Sequence, residues 1–306
     1  MTIDREQIRA ARATLALLAP TRNQALHEML AFAGPVDVLA WLTAPDTPAD
    51  ERAEVLHGVT LAQLLDHRAA VAGLTEQAGA RVLIPEDDQW PARLDDLTRV
   101  AFPAAPSSAL CLWVRGSADP ATALRRIVSV TGARAATAYG ATVAGELGHG
   151  LAAEGWSVAA SNAYGIDSAA LRGALAAGGP AIAVLPAGID RPYPPGNTRL
   201  LEHVTGGGLL ISADPPGSTA TSYRFAAARR LLAGLSSGTV VVEAARHSGA
   251  LAVLEETIAR GRRAMVVPGP VTSAMSTGAH AFLRDHPQSR LVHDVPDILA
   301  ELPAGN

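Results

Sequence analysis

The turn Thr131-Gly132-Ala133-Arg134 follows directly on the apolar run Ile127–Val130, and it pairs a turn glycine with an arginine. Glycine opens backbone angles closed to other residues and lets an anion approach the main chain. Arg134 adds a planar fork of donors that matches phosphate. A second turn, Ser161 to Asp167 (SNAYGID), sets Ser161 and Gly165 on the same rim, with Asp167 suited to cap the next helix. A third, Pro186 to Asn197, carries Gly188 and Tyr193 among prolines. There Tyr193 either stacks on a base or packs between its neighbours. Arg229 and Arg230 lie on a helical stretch about 100° apart, so one faces a cleft and the other solvent. Ser248-Gly249 opens a helix whose N-terminus favours anions. A last loop, Pro268 to Gly278, brings Gly269, Ser276 and Gly278.

Other chemistry is harder to build from these residues. No GxGxxG is present and no acid ends the second strand to hold a ribose, which disfavours a dinucleotide. The nine histidines are scattered without HxH or HExxH spacing, and Cys111 is the single cysteine, so no metal site or disulfide framework is expected. No nucleophile–base pair emerges. Glu243 ends a strand and is either a lone general base or a buried carboxylate that holds a neighbouring loop. The expectation is a non-enzymatic anion groove without cofactor.

The elements that must position these turns are legible from periodicity. Short apolar runs at 127–130, 156–160, 181–185, 209–212, 239–243 and 264–267 alternate with helical patterns at 137–153, 168–177, 197–205, 223–234 and 248–260. Such alternation predicts an α/β fold, with a mostly parallel sheet covered by helices on both faces. Earlier strands are expected near Val82 and over 107–115, and a last helix and weak strand over 278–284 and 290–293. Residues 5–42 and 59–77 read as a small all-helical module broken at Pro20, Gly34 and Pro35, with TAPDTPADE as an exposed turn. The division expected is a helical domain over 1–78 and an α/β domain over 79–306.

Composition bounds the partners. The 306 residues are 48% hydrophobic and 18% charged, ample for a packed core, and all 25 basic residues are arginine. The net charge of −4 is unevenly spread. Residues 35–100 hold twelve acids against five arginines, whereas 222–263 hold seven arginines against three acids, so an anionic partner belongs to the second half. No apolar run approaches the ~18 residues that span a membrane, and no leader is evident, so a cytoplasmic protein is expected.

Taken in order, the turns resemble the DprA/Smf family of DNA-processing proteins over about residues 115–285. The family's GSR…S.YG is similar to Gly132-Ala133-Arg134 with Tyr139-Gly140, and its SGLA.GID to Ser161–Asp167 with the SG step altered. AVLPAGIDRPYPPGN at 183–197, FAAARRLLAGLS at 225–236, VVVEA…SGAL at 240–251 and PG…S.G at 268–278 complete the set. The resemblance implies a Rossmann-like domain that binds single-stranded DNA and a SAM-like helical domain before it. It also implies self-association as a homodimer, and delivery of the strand to the RecA recombinase in DNA uptake, transformation or recombination. This chain departs at Ala228-Arg229-Arg230 (family RNR), at Leu171 (a histidine in many members) and at His280 (asparagine), and it is expected to lack a winged-helix C-terminal domain. The alternative carried from the residues is a small-nucleotide sensor, or a nucleotide phosphoribohydrolase with Glu243 as base, in the same cleft. A scaffolding role is the third reading.

Overall fold

Four helices open the chain: α1 (Arg5–Leu15), α2 (Gln24–Thr43), α3 (Ala49–Leu56) and α4 (Leu61–Gln77). The structure, a computed structural model, describes residues 4–18, 23–95 and 110–303; the break expected at Pro20 and the strand start at 107–109 lie outside them. Asp4 with Gln7, and Thr60 with Gln63, form capping boxes that satisfy the first amides of α1 and α4. Leu15, Leu18, Leu26, Leu42 and Leu64 are fully buried in the core these helices share. Two expectations need correction. Helix α3 starts inside the segment read as a turn, where Pro48 and the acids Asp50 and Glu51 form a helix start. Helix α2 is 20 residues long with a mean hydropathy of 1.2, long and apolar enough to cross a membrane by length and composition. Gly34, at φ +78°, breaks it ahead of Pro35, and Leu26, Val38, Leu39 and Leu42 bury its inner side.

The helical module is tied to β1 (Arg81–Leu83) and the loop after it by charge. Arg9 donates to the Val82 carbonyl at 2.7 Å and bidentately to Asp87 at 2.6 and 2.9 Å, while Arg12 pairs with Glu86 at 2.6 Å. Ala13, Ala16, Val71 and Ala78 join the apolar layer on one face of the sheet.

After β1 come a 3-10 turn (Ala92–Asp95), β2 (Leu112–Arg115), α5 (Pro120–Ala123), β3 (Ile127–Thr131), α6 (Ala138–Ala153), β4 (Ser157–Ala160), α7 (Ile166–Ala176) and β5 (Ala181–Val184). A second 3-10 turn (Pro195–Asn197) then leads to α8 (Thr198–Gly207), β6 (Gly208–Ser212), α9 (Ser222–Leu235), β7 (Gly238–Val241), α10 (Gly249–Ala259), β8 (Arg263–Val266), α11 (Thr277–Asp285), β9 (Arg290–Leu291) and α12 (Val295–Glu301). The sheet runs β1-β2-β6-β5-β4-β3-β7-β8-β9. All pairs from β6 through β9 are parallel, and β1 and β2 close one edge antiparallel. The α/β, mostly parallel fold is therefore as the pattern predicts.

Strand residues alternate between two apolar layers, as side chains on a pleated strand must. Val128, Val130, Val158 and Ala160 face one layer with Leu147, Leu151 and Leu171, while Ile127, Ala159, Ile182 and Val184 face the other with Leu231, Leu232 and Val253. Burial on both faces explains why these strands read as unbroken apolar runs. Helices α6 and α7 approach closely: a Cβ on Gly148 would lie 2.2 Å from the Ala170 carbonyl oxygen, and one on Gly173 2.1 Å from that of Gly145. At β3 the strand order reverses, with β4 on one side and β7 on the other. The loops leaving β3, β4 and β7 diverge there, which opens a crevice at their carboxyl ends.

Candidate nucleic-acid interface

That crevice is a groove of about 770 Å³ whose walls come from the loops after β3, β4, β5, β7 and β8 and from α9. Of the residues expected on this rim, Gly132, Arg134, Ser161, Asp167, Arg229, Ser248 and Gly249 line it, together with Thr131. The structure adds Phe225, Arg246, His247, Met275 and Thr277, which the pattern did not single out. Arg246 and His247 sit in an exposed loop without periodicity, so no sequence signal marked them; Phe225 and Arg229 share a wall because they are one helical turn apart.

Two buried carboxylates build the frame. Asp167 is 1% exposed and accepts from Thr131 Oγ1 at 2.7 Å, from the Ser161 amide at 3.1 Å, from the Ala163 amide at 3.3 Å and from the Ser161 hydroxyl. Burial pushes its carboxyl above the ordinary value, and these four donors oppose that rise. Asp167 is therefore not the helix cap expected: Gly165 holds that position, at φ +77°, and Asp167 lies inside α7. Its carboxylate closes the β4–α7 loop. Gly165 is required because a Cβ there would lie 2.3 Å from the Ala133 carbonyl oxygen. Asn162 takes φ +57°, which asparagine tolerates better than most residues, and its side-chain amide donates to the Tyr193 carbonyl at 3.0 Å.

Glu243 is likewise 1% exposed. Its carboxylate accepts from the Thr137 hydroxyl at 2.6 Å and the Thr137 amide at 2.9 Å, and its carbonyl accepts from the Ala133 amide at 2.7 Å. It thus locks the β3–α6 loop to the end of β7, the second of the two roles its position allowed.

The cations have no such partners. Arg134 is exposed, with its guanidinium 5.4 Å from the centre of the Phe225 ring; Phe225 in turn meets Tyr193 edge-on, centroids 5.2 Å apart. Tyr193 is thereby a packing residue of this wall. Arg229 is half-buried, and a Cβ on Gly249 would fall 2.9 Å from its Nη1, so glycine at the first position of α10 is what admits the guanidinium. Burial, then the neighbouring Arg134 and Arg230, hold the Arg229 guanidinium below its ordinary pKa, against a raising influence from Glu256. Among the described residues, neither the Arg134 nor the Arg229 guanidinium makes an ion pair or a hydrogen bond. A cation beside a helix N-terminus meets the positive end of the dipole. Two unpaired arginines and that helix end therefore leave the groove short of negative charge.

The remaining residues expected on the rim are placed elsewhere. Arg230 turns from the groove to Glu256 at 3.1 Å, a half-buried ion pair instead of a solvated charge. Gly188 donates its amide to the Ser218 carbonyl, away from the groove lining. Gly165, Gly269, Ser276 and Gly278 stand behind it: a Cβ on Gly269 would meet Ser276 Oγ at 2.3 Å, and one on Gly278 would meet the Ala245 carbonyl at 2.3 Å. These glycines let loops pack closely, and none of them is part of the groove lining. His280 Nε2 accepts from the Gly269 amide at 3.3 Å, and Leu171 is fully buried in the core. Both departures from the family pattern thus have structural duties. His293, Asp294 and Asp297 bring potential metal-ligand atoms within 4.8 Å of one another, outside the groove. Asp294 caps α12, and Asp297 accepts from the His293 amide at 3.1 Å.

Residues 81–303 match the sequence pattern of the family described as DNA recombination-mediator protein A. The putative DNA processing protein DprA of Mycobacterium tuberculosis is 40% identical over 227 residues, covering 72% of this chain and 57% of that protein. The DNA processing protein DprA of Streptococcus pneumoniae is 35% identical over 174 residues, 57% of this chain and 61% of that one. The chain thus spans rather more than half the length of these relatives. Its fold superposes on the crystal structure of the Streptococcus pneumoniae protein with a TM-score of 0.75 at 25% identity, covering 99% of this chain and 100% of that one. The Helicobacter pylori DNA processing protein A, whose structure concerns its binding of single-stranded DNA, shares the fold at a TM-score of 0.61 and 20% identity, over 72% and 94% of the two chains. With the ordered turns, the switch-point groove and a match across most of its length, the chain belongs to the DNA recombination-mediator protein A family, also called DprA/Smf.

Proposed function

We propose that this protein binds single-stranded DNA in the switch-point groove without doing chemistry on it, and serves DNA processing and recombination by presenting the strand to a RecA-type recombinase. The observation that supports this most strongly is that Arg134 and Arg229, neither of them in an ion pair among the described residues, line one groove together with the N-terminus of α10, which Arg229 approaches at Gly249. Such a site takes phosphate, and a chain of phosphates gives it a binding energy that grows with the number of contacts. Phe225 and the apolar wall at Ala228, Val253 and Met275 offer surface beside the cations that a base can cover. The phosphoribohydrolase alternative needs Glu243 as a free base, but both its carboxylate oxygens accept hydrogen bonds from Thr137. We further propose a cytoplasmic homodimer acting in DNA uptake or recombination, with a helical domain over 1–78 packed against the α/β domain over 79–306. Fluorescence anisotropy with labelled single- and double-stranded oligonucleotides across a salt titration tests the reading. Tight, salt-sensitive binding of the single strand supports it; equal or absent binding of both refutes it.

A further inference from the structure

Beside the groove, one aromatic side chain is held in place with a face left bare. Tyr164 lies in the β4–α7 loop between Ala163, which lines the groove, and Gly165, which packs on the main chain of Ala133 and Arg134. Its side chain rests on the Pro-rich loop: a Cβ on Gly196 would lie 2.4 Å from the Tyr164 hydroxyl oxygen and 3.2 Å from Cε1 and Cζ. The residue is nevertheless 47% exposed, and its hydroxyl makes no hydrogen bond among the described residues. The loop beneath it is rigid. Asp167 gathers the Ser161 and Ala163 amides, and Asn197 donates to the Asn162 carbonyl at 2.9 Å and to Ser168 Oγ at 2.8 Å. Three residues beyond Gly196, Arg199 stands exposed on the first turn of α8, with no ion pair among the described residues.

We propose that Tyr164 is a stacking platform for a base of the single strand that leaves the groove past Arg134, with Arg199 placed to meet the next phosphate. This rests on the groove being a single-stranded DNA site, as proposed above. A ring fixed by its edge gives up little freedom when a base lies on its bare face, so the stacking energy is kept. Duplex DNA cannot use such a platform, because its bases are already stacked and paired. Tyr164 therefore adds preference for single strands to a groove whose cations alone read only phosphate.

The test compares wild type, Tyr164→Ala and Tyr164→Phe on two ligands, an oligothymidylate of about 12 nucleotides and an abasic oligomer of the same length. The expected result is a loss of about 5- to 100-fold for Tyr164→Ala on oligothymidylate and near wild-type binding for Tyr164→Phe. On the abasic oligomer all three should bind alike, and the salt slope should be unchanged throughout, since no phosphate contact is lost. Undiminished binding of oligothymidylate by Tyr164→Ala, or an equal loss on both ligands, overturns the assignment while leaving the groove intact. Failure of the wild type to bind either ligand overturns the reading of the groove on which it rests.

Discussion

Replacing Arg229 with methionine should stabilise the folded protein while weakening its hold on DNA. Methionine keeps an apolar stem against the wall of α9 and α10 and removes only the charge. In the folded state that charge is half-buried and lies beside Arg134, Arg230 and the positive end of α10. A guanidinium whose pKa is lowered by folding penalises the folded state at every pH below that pKa, so the penalty is present across the neutral range and relieved only in strong alkali. The helix-end term is about 0.3–1 kcal/mol. Adding the like-charge neighbours, the substitution should raise unfolding free energy by about 0.5–1.5 kcal/mol at low salt and by less at high salt. Binding should move the other way. One charge-assisted contact contributes about 1.5 kcal/mol, roughly tenfold in affinity, and the slope of log affinity on log salt should flatten by about 0.7. Urea unfolding at two salt concentrations and anisotropy with a labelled oligothymidylate read both quantities. A destabilised variant that binds DNA like wild type would refute the idea that Arg229 is a strained anion-binding charge.

Gly249→Ala should gain up to about 1 kcal/mol in stability from helix propensity, yet weaken DNA several-fold, because its Cβ would displace the Arg229 Nη1 now 2.9 Å from that position; thermal unfolding and anisotropy check the two signs. Glu243→Gln should cost about 1.5–3 kcal/mol, since an amide cannot accept from both the hydroxyl and the amide of Thr137. Its chemical denaturation midpoint should fall, and neither variant nor wild type should release free base from nucleoside monophosphates. Burial would raise the Asp87 carboxyl, but hydrogen bonds from Arg9 and the Ile84 amide outweigh it and hold the group below its ordinary 3.8. A depressed carboxyl contributes stability that is whole above 3.8 and lost as pH falls through the folded value. Asp87→Asn should thus lose about 1–2 kcal/mol at neutral pH and show a shallower acid unfolding curve by circular dichroism.

The parallel sheet was legible because strands buried on both faces must be apolar throughout, and Ile127–Thr131 and Ala181–Val184 carry that signature. The short helices were harder. Helix α3 and helix α12 are announced only by Pro48 with Asp50 and Glu51, and by Asp294 with Pro296, signals that turns share. At the site, spacing identified the turns but not which residues face the ligand. Arg229 and Arg230 differ by about 100° of helix rotation, and only the position of Glu256 on the facing helix decides which is free. The motif glycines are ambiguous for a related reason: Gly188 and Gly278 pack against main-chain carbonyls and Gly269 against the Ser276 hydroxyl, and such close contacts leave the same mark on a sequence as contacts with a phosphate. Asp167 reads as a cap and serves as a loop tie, because both uses place a carboxylate among amides at a helix start.

If the strand lies in the groove between Arg134, Arg229 and α10, a crystal structure with a short oligothymidylate shows it most directly. A phosphate should sit between the two guanidinia and the Gly249 amide, with oxygens about 2.8 Å from the donors. An oligonucleotide bound elsewhere, with both arginines still unpaired, would contradict this placement.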